Sequence, residues 1–367
     1  MPAHRAVLIP GDGVGPEVID AARRSIEATG VAVDWVLAEM GAAAFAHEGD
    51  PLPAVTLERI RECRVALKGP IETPVEAGVR SANIRLRRTL DLFANVRPCR
   101  RYPGVPSPYE HVDLVVIREG TEDLYAGVEL EMGTEAVAEL IAFIGATTGR
   151  TVRADSGISV KEISERGSER IVRFAFAWAQ AAGRSSVTAS HKANIMKFSD
   201  GLFLDVARRV AAEHPAIGFQ ERIIDALCMQ LVQTPERFDV LVMPNTYGDL
   251  VAELGAGLIG GVGLAPGGLF GGADGRELAV FEATHGTAPR LAGTDRADPV
   301  GAILSGAMLL RHIEEAAAAD ALEAAVAEVL AEGAAVTPDL RAAGDDRPAV
   351  GTHAMADAVV RRLASLA

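Results

Sequence analysis

The chain has 367 residues, 49% of them hydrophobic and 5% aromatic, with a formal net charge of -14. This length suits two domains or one large α/β body, and the negative charge argues against sequence-independent binding to nucleic acids. The three separated cysteines, Cys63, Cys99 and Cys228, argue against a disulfide framework and against a zinc cluster. Because no signal-peptide pattern and no apolar run of bilayer length is found, we expect a cytoplasmic protein without a membrane partner.

A strand, a glycine-rich turn and a helix open the chain. Residues 5–10 form an apolar run that predicts a buried strand, residues 11–15 (GDGVG) predict a tight turn, and Pro16 suits the first turn of a helix. The turn has GxGxG spacing and lacks the third glycine of GxGxxG. No acidic residue ends the second predicted strand, at 31–38. The dinucleotide-binding fingerprint of the Rossmann fold is therefore not met.

Strands and helices then alternate along the chain, which predicts an α/β fold. The other predicted strands cover residues 65–67, 93–98, 112–117, 186–189, 238–243 and 280–282, and the predicted helices cover residues 81–92, 164–181, 200–210, 299–313, 316–330 and 352–366. A further helix that starts near Val251 is expected to break at Gly255. The segment 128–158 is polar and fits neither period, and we interpret it as a protruding arm.

A basic set of residues surrounds the predicted helix at 81–92 and the strands that follow it. Its members are Ser81, Asn83, Arg87, Arg97 and Arg118. The two parallel N–H donors of a guanidinium match the two oxygens of a carboxylate, so three arginines on an acidic chain suggest a small polyanionic substrate. A solvated helix face is the alternative, but Arg97 and Arg118 lie in or after apolar strands.

An acidic set contains Asp225, Asp249 and Glu253. Asp249 and Glu253 are four residues apart at a predicted helix start, so both face one side, and Asp225 follows a strand-like stretch. Carboxylate oxygens of this kind suit Mg²⁺ or Mn²⁺. The alternative is ordinary charge at a helix start, which the helix dipole favours.

Tyr125 and Lys192 form a third candidate group. Lys192 stands in the stretch 191–197 (HKANIMK), between a predicted strand and a predicted helix, where α/β proteins present polar groups to a cleft. A lysine whose pKa is lowered by burial can, together with a tyrosine, exchange protons with a hydroxy acid or an enol. The alternatives are a capping tyrosine and a surface lysine.

Taken together, the chain resembles the metal-dependent β-decarboxylating dehydrogenases, which include isocitrate, isopropylmalate, homoisocitrate and tartrate dehydrogenases. The segments that carry the resemblance are 9–18 (IPGDGVGPEV), 68–74, 80–98 (RSANIRLRRTLDLFANVRP), 117–129 (IREGTEDLYAGVE), 191–204 (HKANIMKFSDGLFL), 224–249 and 282–289 (EATHGTAP). The resemblance implies an α/β, isopropylmalate-dehydrogenase-like, non-Rossmann fold with mixed sheets flanked by helices. Residues 1–98 and 254–367 would form a large domain, and residues 99–253 a small domain.

The resemblance also implies NAD(P)-dependent oxidative decarboxylation of a 2-hydroxy-3-carboxy acid, with isocitrate, which gives 2-oxoglutarate and CO₂, as the first choice. The implied substrate-binding residues are Ser81, Asn83, Arg87, Arg97, Arg118 and Asn194. Ser81 and Asn83 look like the isocitrate-type loop that meets the distal carboxylate, where isopropylmalate enzymes place apolar residues. Homoisocitrate, isopropylmalate, tartrate and other substituted malates remain alternatives, because the arginines accept any malate core.

For catalysis, the resemblance implies that Tyr125 protonates the enol carbon after CO₂ leaves and that Lys192 takes part in removing the hydroxyl proton. The implied ligands of Mg²⁺ or Mn²⁺ are Asp225, Asp249 and Glu253, with glutamate at 253 where the family usually has aspartate. Lys192 and Asp225 would come from the neighbouring subunit. The resemblance therefore implies at least a homodimer with shared sites, in which residues 128–158 are a candidate intersubunit clasp.

The sequence leaves the nicotinamide cofactor open between NAD and NADP. The residues implied in binding it are Thr73, Glu282, His285, Gly286, Thr287, Ala288, Pro289, Arg290 and Asp298. Arg290 replaces the aspartate usual in NAD-using members and suits the 2′-phosphate of NADP, which we therefore favour. Pro338 fits the NAD-using pattern instead, while Arg341 and Arg347 are close enough in sequence to assist a phosphate.

The chain departs from the family pattern at three positions, and two of them, Glu253 and Asp298, keep a second class of function open. Glu253 is one methylene longer than the usual aspartate, Asp298 replaces an adenine-binding asparagine, and Gly120 replaces an asparagine near Arg118. A regulatory or binding subunit without catalysis is therefore the alternative to an enzyme.

Overall fold

The computed structural model describes residues 4–72, 81–342 and 344–366. A ten-stranded mixed sheet forms the centre of the molecule, and two further short strands pair as a separate ribbon. In chain order, the strands are β1 His4–Ile9, β2 Val33–Leu37, β3 Val65–Lys68, β4 Ala94–Arg100, β5 Asp113–Glu119, β6 Glu129–Leu130, β7 Ile158–Ser159, β8 Ser186–His191, β9 Gly218–Ile223, β10 Val240–Met243, β11 Gly268–Gly271 and β12 Leu278–Phe281.

Helices flank this sheet. They are α1 Gly15–Glu27, α2 Ala42–Glu48, α3 Ala54–Cys63, α4 Ala82–Thr89, α5 Glu135–Thr148, α6 Glu165–Ala181, α7 Asp200–Ala211, α8 Ile224–Gln233, α9 Asn245–Ile259, α10 Val300–His312, α11 Ala316–Glu332 and α12 Thr352–Leu366. Within the described ranges, none of them combines the length and the apolar character that a membrane span needs.

The strand order is β2-β1-β3-β12-β11-β4-β5-β10-β8-β9. Strand β11 is antiparallel to both of its neighbours and β4 is antiparallel to β5, whereas the other pairs are parallel. This mixed sheet confirms the predicted non-Rossmann α/β fold. The glycine turn after β1 packs against the loop after β12, since a Cβ at Gly13 would lie 1.9 Å from the carbonyl oxygen of Thr287.

Successive residues of each strand point to opposite faces of the sheet. In β1, Ala6 and Leu8 belong to one hydrophobic core, which includes residues of α1 and α10, while Val7 and Ile9 belong to a second core, which includes residues of α3 and α4. Burial of each large aliphatic side chain contributes about 1.5–3 kcal/mol. The same alternation puts odd-numbered residues of β4 on the face that carries α9.

One local prediction is corrected by tertiary contacts. Helix α9 continues through Gly255, so the predicted break there is wrong. A Cβ at this position would lie 2.6 Å from the Sγ of Cys99, and the glycine thus allows close packing of α9 on β4. The glycine-rich stretch 260–275 also contains a strand that was not predicted, β11.

The predicted division into two domains stays a prediction. One continuous sheet contains strands from both parts of the chain, and the proposed boundaries fall inside β4 and inside α9. The segment 128–158 contributes no strand to this sheet, and its interpretation as an arm also stays a prediction. It contains β6, α5 and the first residue of β7. In α5, Val137 is buried and most other side chains are exposed.

Candidate active site

The three predicted substrate arginines lie on one face of the sheet. The register of β4 and β5 pairs Arg118 with Asn95, so Arg118 points to the same face as Arg97, two residues along β4. Arg87 comes from α4 on this face. Burial and the charge of Arg118 lower the pKa of Arg87 to about 10, with a further contribution from Arg97. Such crowding of cations is costly unless anions offset it, which suits a polyanionic ligand.

Arg118 connects β5 to α9 and to Tyr125. Its Nε donates to Oδ1 of Asn245 at 2.8 Å, and its Nη1 contacts the carboxylate of Asp249. The Tyr125 hydroxyl donates to the other oxygen of Asp249, and the guanidinium lies 4.7 Å from the centre of the Tyr125 ring. Helix α9 approaches this closely because residue 248 is glycine: a Cβ there would lie 2.5 Å from the Cβ of Arg118. Burial and the Asp249 carboxylate raise the pKa of Tyr125, which keeps its proton available.

Arg97 belongs to a buried set of ion pairs that was not predicted from the sequence. Oε2 of Glu282 accepts from Nζ of the fully buried Lys68 at 2.6 Å, and Oε1 accepts from Nη2 of Arg97 at 3.1 Å. Nη1 of Arg97 donates to Oγ1 of Thr284 at 2.9 Å. Although burial raises its pKa, the charges of Lys68 and Arg97 lower the pKa of Glu282 to about 2. Glu282, assigned to the cofactor by resemblance, thus lies among the substrate arginines.

Several buried polar atoms at this site have no hydrogen-bond partner among the described residues. They are Oδ1 of Asn83, Nη1 of Arg87 and Nη2 of Arg118. Buried donors without partners are expensive, so a ligand that accepts from the two guanidinium groups is expected here. Ser81 directly precedes α4, so it lies at the same end of this helix as Asn83. Thr73, a predicted cofactor residue, is outside the described residues.

Lys192 and Asp225 form a separate pair. Nζ of Lys192 donates to Oδ1 of Asp225, and this hydrogen bond lowers the pKa of Asp225. Within residues 4–72, 81–342 and 344–366, no direct hydrogen bond or ion pair joins this pair to Tyr125 or Asp249. Asn194 is exposed in the turn between β8 and α7. One chain therefore presents the predicted catalytic and metal residues in two groups.

Asp249 and Glu253 lie one turn apart on α9 and offer two of the three predicted metal ligands. Partial burial and the Asp249 charge raise the pKa of Glu253, a sign of repulsion that a divalent cation would relieve. In the described part of the chain, no cluster of three acidic, histidine or cysteine side chains is arranged to hold a metal ion. The carboxylate pair fits a hard cation, and completing the site requires a further ligand.

The loop after β12 contains the predicted cofactor residues 285–290. Nδ1 of His285 contacts the carbonyl oxygen of Gly286 at 2.9 Å. The buried Nε2 of His285 lacks a partner in the regions described. The buried Oγ1 of Thr337, outside this loop, also lacks one there. Ala288 has a positive φ of 39° and Arg290 is exposed. Buried polar atoms without partners fit a polar ligand such as a dinucleotide.

Asp298 is the most unusual carboxyl group of this region. Oδ1 accepts from the backbone N–H of Val300 at 2.9 Å, while Oδ2 is buried without a partner among the residues described. Burial, together with the charge of Asp339, raises the pKa of Asp298 to about 8. At neutral pH the carboxyl group is therefore mainly protonated, and it can both donate and accept hydrogen bonds, as an asparagine amide does.

We expect the Asp298→Asn variant to lose a pH dependence of stability that the parent chain shows. The folded-state pKa of Asp298, about 8, lies above the ordinary value near 4, so between these pH values the folded state keeps a proton that the unfolded state has lost. This carboxyl group therefore makes the parent less stable as pH rises from about 4 to about 8. Between pH 5 and pH 9 the variant should gain about 1–3 kcal/mol relative to the parent. Thermal unfolding without ligands measures this gain, and a constant difference would contradict the prediction.

The residues that orient the arginines were not assigned a role from the sequence. They are Lys68, Asn245 and Thr284. Each lies at or just after the carboxyl end of a strand, a position that could have indicated a site residue from the sequence.

Packing explains why residue 120 is glycine, since a Cβ there would lie 2.5 Å from the carbonyl oxygen of Leu92.

Comparisons with known proteins agree with this architecture. The sequence model of the family described as isocitrate/isopropylmalate dehydrogenase matches residues 5–359. A crystal structure of isocitrate dehydrogenase from Methylococcus capsulatus superimposes with a TM-score of 0.88 at 45% identity, covering 98% of this chain and 99% of that chain.

Two curated relatives show the same similarity. NADP isocitrate dehydrogenase of Thermus thermophilus is 42% identical over 359 residues, which is 97% of this chain and 67% of the relative. The alpha subunit of mitochondrial NAD isocitrate dehydrogenase of Macaca fascicularis is 43% identical over 335 residues, which is 91% of this chain and 89% of the relative. The class of protein is thus an NAD(P)-dependent decarboxylating oxidoreductase. The chain belongs to the isocitrate/isopropylmalate dehydrogenase family.

Proposed function

We propose that the chain catalyses the oxidative decarboxylation of isocitrate to 2-oxoglutarate and CO₂. The observation that carries this proposal is the cluster of Arg87, Arg97 and Arg118, in which Nη1 of Arg87 and Nη2 of Arg118 are buried without a partner among the described residues. Oδ1 of Asn83, on the same helix as Arg87, is also buried without such a partner. Three cations and a neighbouring amide suit a tricarboxylate better than an acid with an apolar substituent. The relatives named isocitrate dehydrogenase support the same choice.

In this proposal the residues of the chain bind and orient the substrate and move protons. The arginines hold its carboxylates, Lys192 takes part in removing the hydroxyl proton, and Tyr125 returns a proton to carbon after CO₂ leaves. Asp249 and Glu253, completed by Asp225, would hold Mg²⁺ or Mn²⁺. When bound, the cation would polarise the substrate oxygens and the nicotinamide would accept the hydride.

A homodimer with shared sites would unite the two groups of residues. The exposed apolar side chains Met229, Val232 and Leu250 lie on α8 and α9, next to the metal ligands, and the arm exposes Met132 and Phe143. Such surfaces suit contact with another protein chain. In such a dimer the Lys192–Asp225 pair of one chain would complete the Tyr125–Asp249 group of the other.

The substrate is tested by measuring kcat/KM for isocitrate, homoisocitrate, isopropylmalate and tartrate with Mn²⁺ and both cofactors. We expect isocitrate to give the highest value, because the other acids lack a carboxylate or place it differently toward the arginines and Asn83. A higher value for another acid would reassign the substrate while keeping the reaction class.

We propose NADP as the preferred cofactor. Arg290 is exposed and makes no ion pair in the described structure. By contrast, Arg341 donates to the carbonyl oxygens of Gly333 and Ala334, and Arg347 pairs with Asp345, so both stabilise their own loop. This contact pattern leaves Arg290 as the cation best suited to a 2′-phosphate.

The Arg290→Asp variant should therefore shift the preference toward NAD. The loss of an Arg–phosphate contact and the added repulsion should lower the ratio of kcat/KM for NADP to that for NAD at least about 10-fold. Arg347→Asp is the matched control, since Arg347 is tied to Asp345 and should leave the ratio near that of the parent. An unchanged ratio in Arg290→Asp would exclude this residue as the determinant of cofactor preference.

The cytoplasmic location stays a prediction of the sequence, which cell fractionation would test.

A further inference from the structure

Lys161 is a lysine outside the residues assigned to substrate, metal or cofactor, and its side chain is only 16% exposed. It lies between β7 of the arm and helix α6. Its Nζ donates to Oδ1 of Asp200 at 2.6 Å and to the Tyr247 hydroxyl at 3.3 Å, and it lies 4.5 Å from the centre of the Tyr247 ring. Oδ1 of Asp123 is 4.0 Å away. A single cation thus lies between two carboxylates whose side chains are completely buried.

Asp200 connects this cation to the turn that carries Lys192. It is the first residue of α7, and its Oδ2 accepts from the backbone N–H of Lys192 at 2.7 Å. Within the turn, the carbonyl oxygen of Lys192 accepts from the N–H groups of Ile195 and Met196, both at 2.9 Å. The position of the Lys192 backbone therefore depends on the orientation of the Asp200 carboxylate.

Asp123 connects the same cation to the turn that carries Tyr125. Its Oδ2 accepts from the backbone N–H of Thr246 at 2.8 Å, and its Oδ1 accepts from the N–H of Leu124 at 2.8 Å. These bonds fix the turn to the start of α9, the helix that carries Asp249. Asp123 has a positive φ of 69°, a conformation that persists only where surrounding contacts impose it.

The charges of this cluster make Lys161 hard to replace. Without its ammonium group, the two buried carboxylates would lie in the interior without this neutralising cation, and burying unpaired charges is costly. The hydrogen bonds from Lys192 and Thr246 need acceptor oxygens in fixed positions. Lys161 also lies at the base of the arm: the N–H of the preceding residue, Val160, donates to the carbonyl oxygen of Val128 at 2.9 Å.

We propose that Lys161 is a positioning residue that holds the Lys192 turn and the Tyr125 turn in a fixed mutual arrangement. The inference rests on the proposed function, in which these two residues move protons. If the active sites are shared between subunits, the Tyr125 and Lys192 of one chain serve different sites. The Lys161 cluster then connects the two sites of the dimer through one side chain.

The test compares three variants of the full-length chain. Lys161→Met removes the cation and is expected to fold less stably. Lys161→Met/Asp200→Asn also removes a carboxylate charge, so it should regain stability and keep an oxygen for the Lys192 N–H. Lys197→Met is the matched control, because Lys197 is an exposed lysine of the same turn. In the folded double variant, kcat should fall about 10–100-fold while KM for isocitrate stays within about 3-fold, because the arginines are untouched.

Hydrogen exchange provides a readout that does not depend on turnover. In the double variant, amides of residues 121–126 and of residues 192–199 should both exchange faster than in the parent, and the control should change neither. A folded double variant with parental kcat, or faster exchange in one of the two turns alone, would overturn the proposal. If the parent chain turned over no acid, the proposed function would fail, and exchange at the two turns would decide the positioning role by itself.

Discussion

Replacing Lys192 with methionine is expected to lower kcat for isocitrate about 10²–10⁴-fold, the usual contribution of a group that transfers a proton. KM for isocitrate should change much less, because Arg87, Arg97 and Arg118 are left in place. Methionine keeps the length and apolar stem of lysine, so the fold should be retained. A steady-state assay with Mn²⁺ measures both constants, and parental turnover in the variant would remove Lys192 from the chemistry.

Mixing this variant with Tyr125→Phe tests whether the site is shared. Each variant alone should be nearly inactive. If Tyr125 and Lys192 of different chains form one site, a mixed dimer contains one intact site, and random assembly should restore about a quarter of the parental activity. Co-expression of the two variants, with each expressed alone as the control, measures this recovery. No recovery would place both residues in a site built by one chain.

The Glu282→Gln variant is expected to lose about 3–5 kcal/mol of unfolding free energy at neutral pH. The substitution keeps the shape of the side chain but leaves Lys68 and Arg97 as buried cations without their shared anion. The loss should shrink at low pH. Because the folded pKa of Glu282, about 2, lies below the ordinary glutamate value, its stabilisation is present above that ordinary value and is lost as pH falls toward 2.

Denaturant unfolding at pH 7 and at acidic pH measures this effect. Glu213→Gln is the matched control: Glu213 also pairs with an arginine, Arg173, but the pair is exposed and should contribute little. Equal effects of the two substitutions would show that the Lys68–Glu282–Arg97 contacts do not stabilise the fold.

Much of the fold could be predicted from local sequence patterns. Apolar runs predicted β1, β5 and β10, and the periodic helices α1, α6, α10 and α12 formed close to their predicted ends. The exceptions depend on tertiary contacts. Gly255 usually signals a helix end, but here it is needed inside α9 for the approach to Cys99. Strand β11 has few side chains to give a pattern, and its neighbours in the sheet define it.

The candidate site could be predicted in composition but not in arrangement. Arg97 and Arg118 were identifiable because they lie in or near the end of apolar strands, and Asp249 because it is four residues from Glu253. The pairing of Lys68 with Glu282 was not, because the two residues are far apart in sequence and meet only through the β3–β12 contact. Lys161 was missed for the same reason: its partners Asp200 and Asp123 come from other elements.

The stoichiometry of the products decides whether the chain catalyses the proposed reaction. Purified protein is incubated with isocitrate, Mn²⁺ and either NADP or NAD, and reduced cofactor, 2-oxoglutarate and CO₂ are quantified together. The proposed reaction predicts that all three appear in equal amounts, faster with NADP than with NAD. No reduction of either cofactor, or reduction without release of CO₂, would contradict the assignment, and absence of turnover with intact isocitrate binding would instead indicate a binding or regulatory subunit.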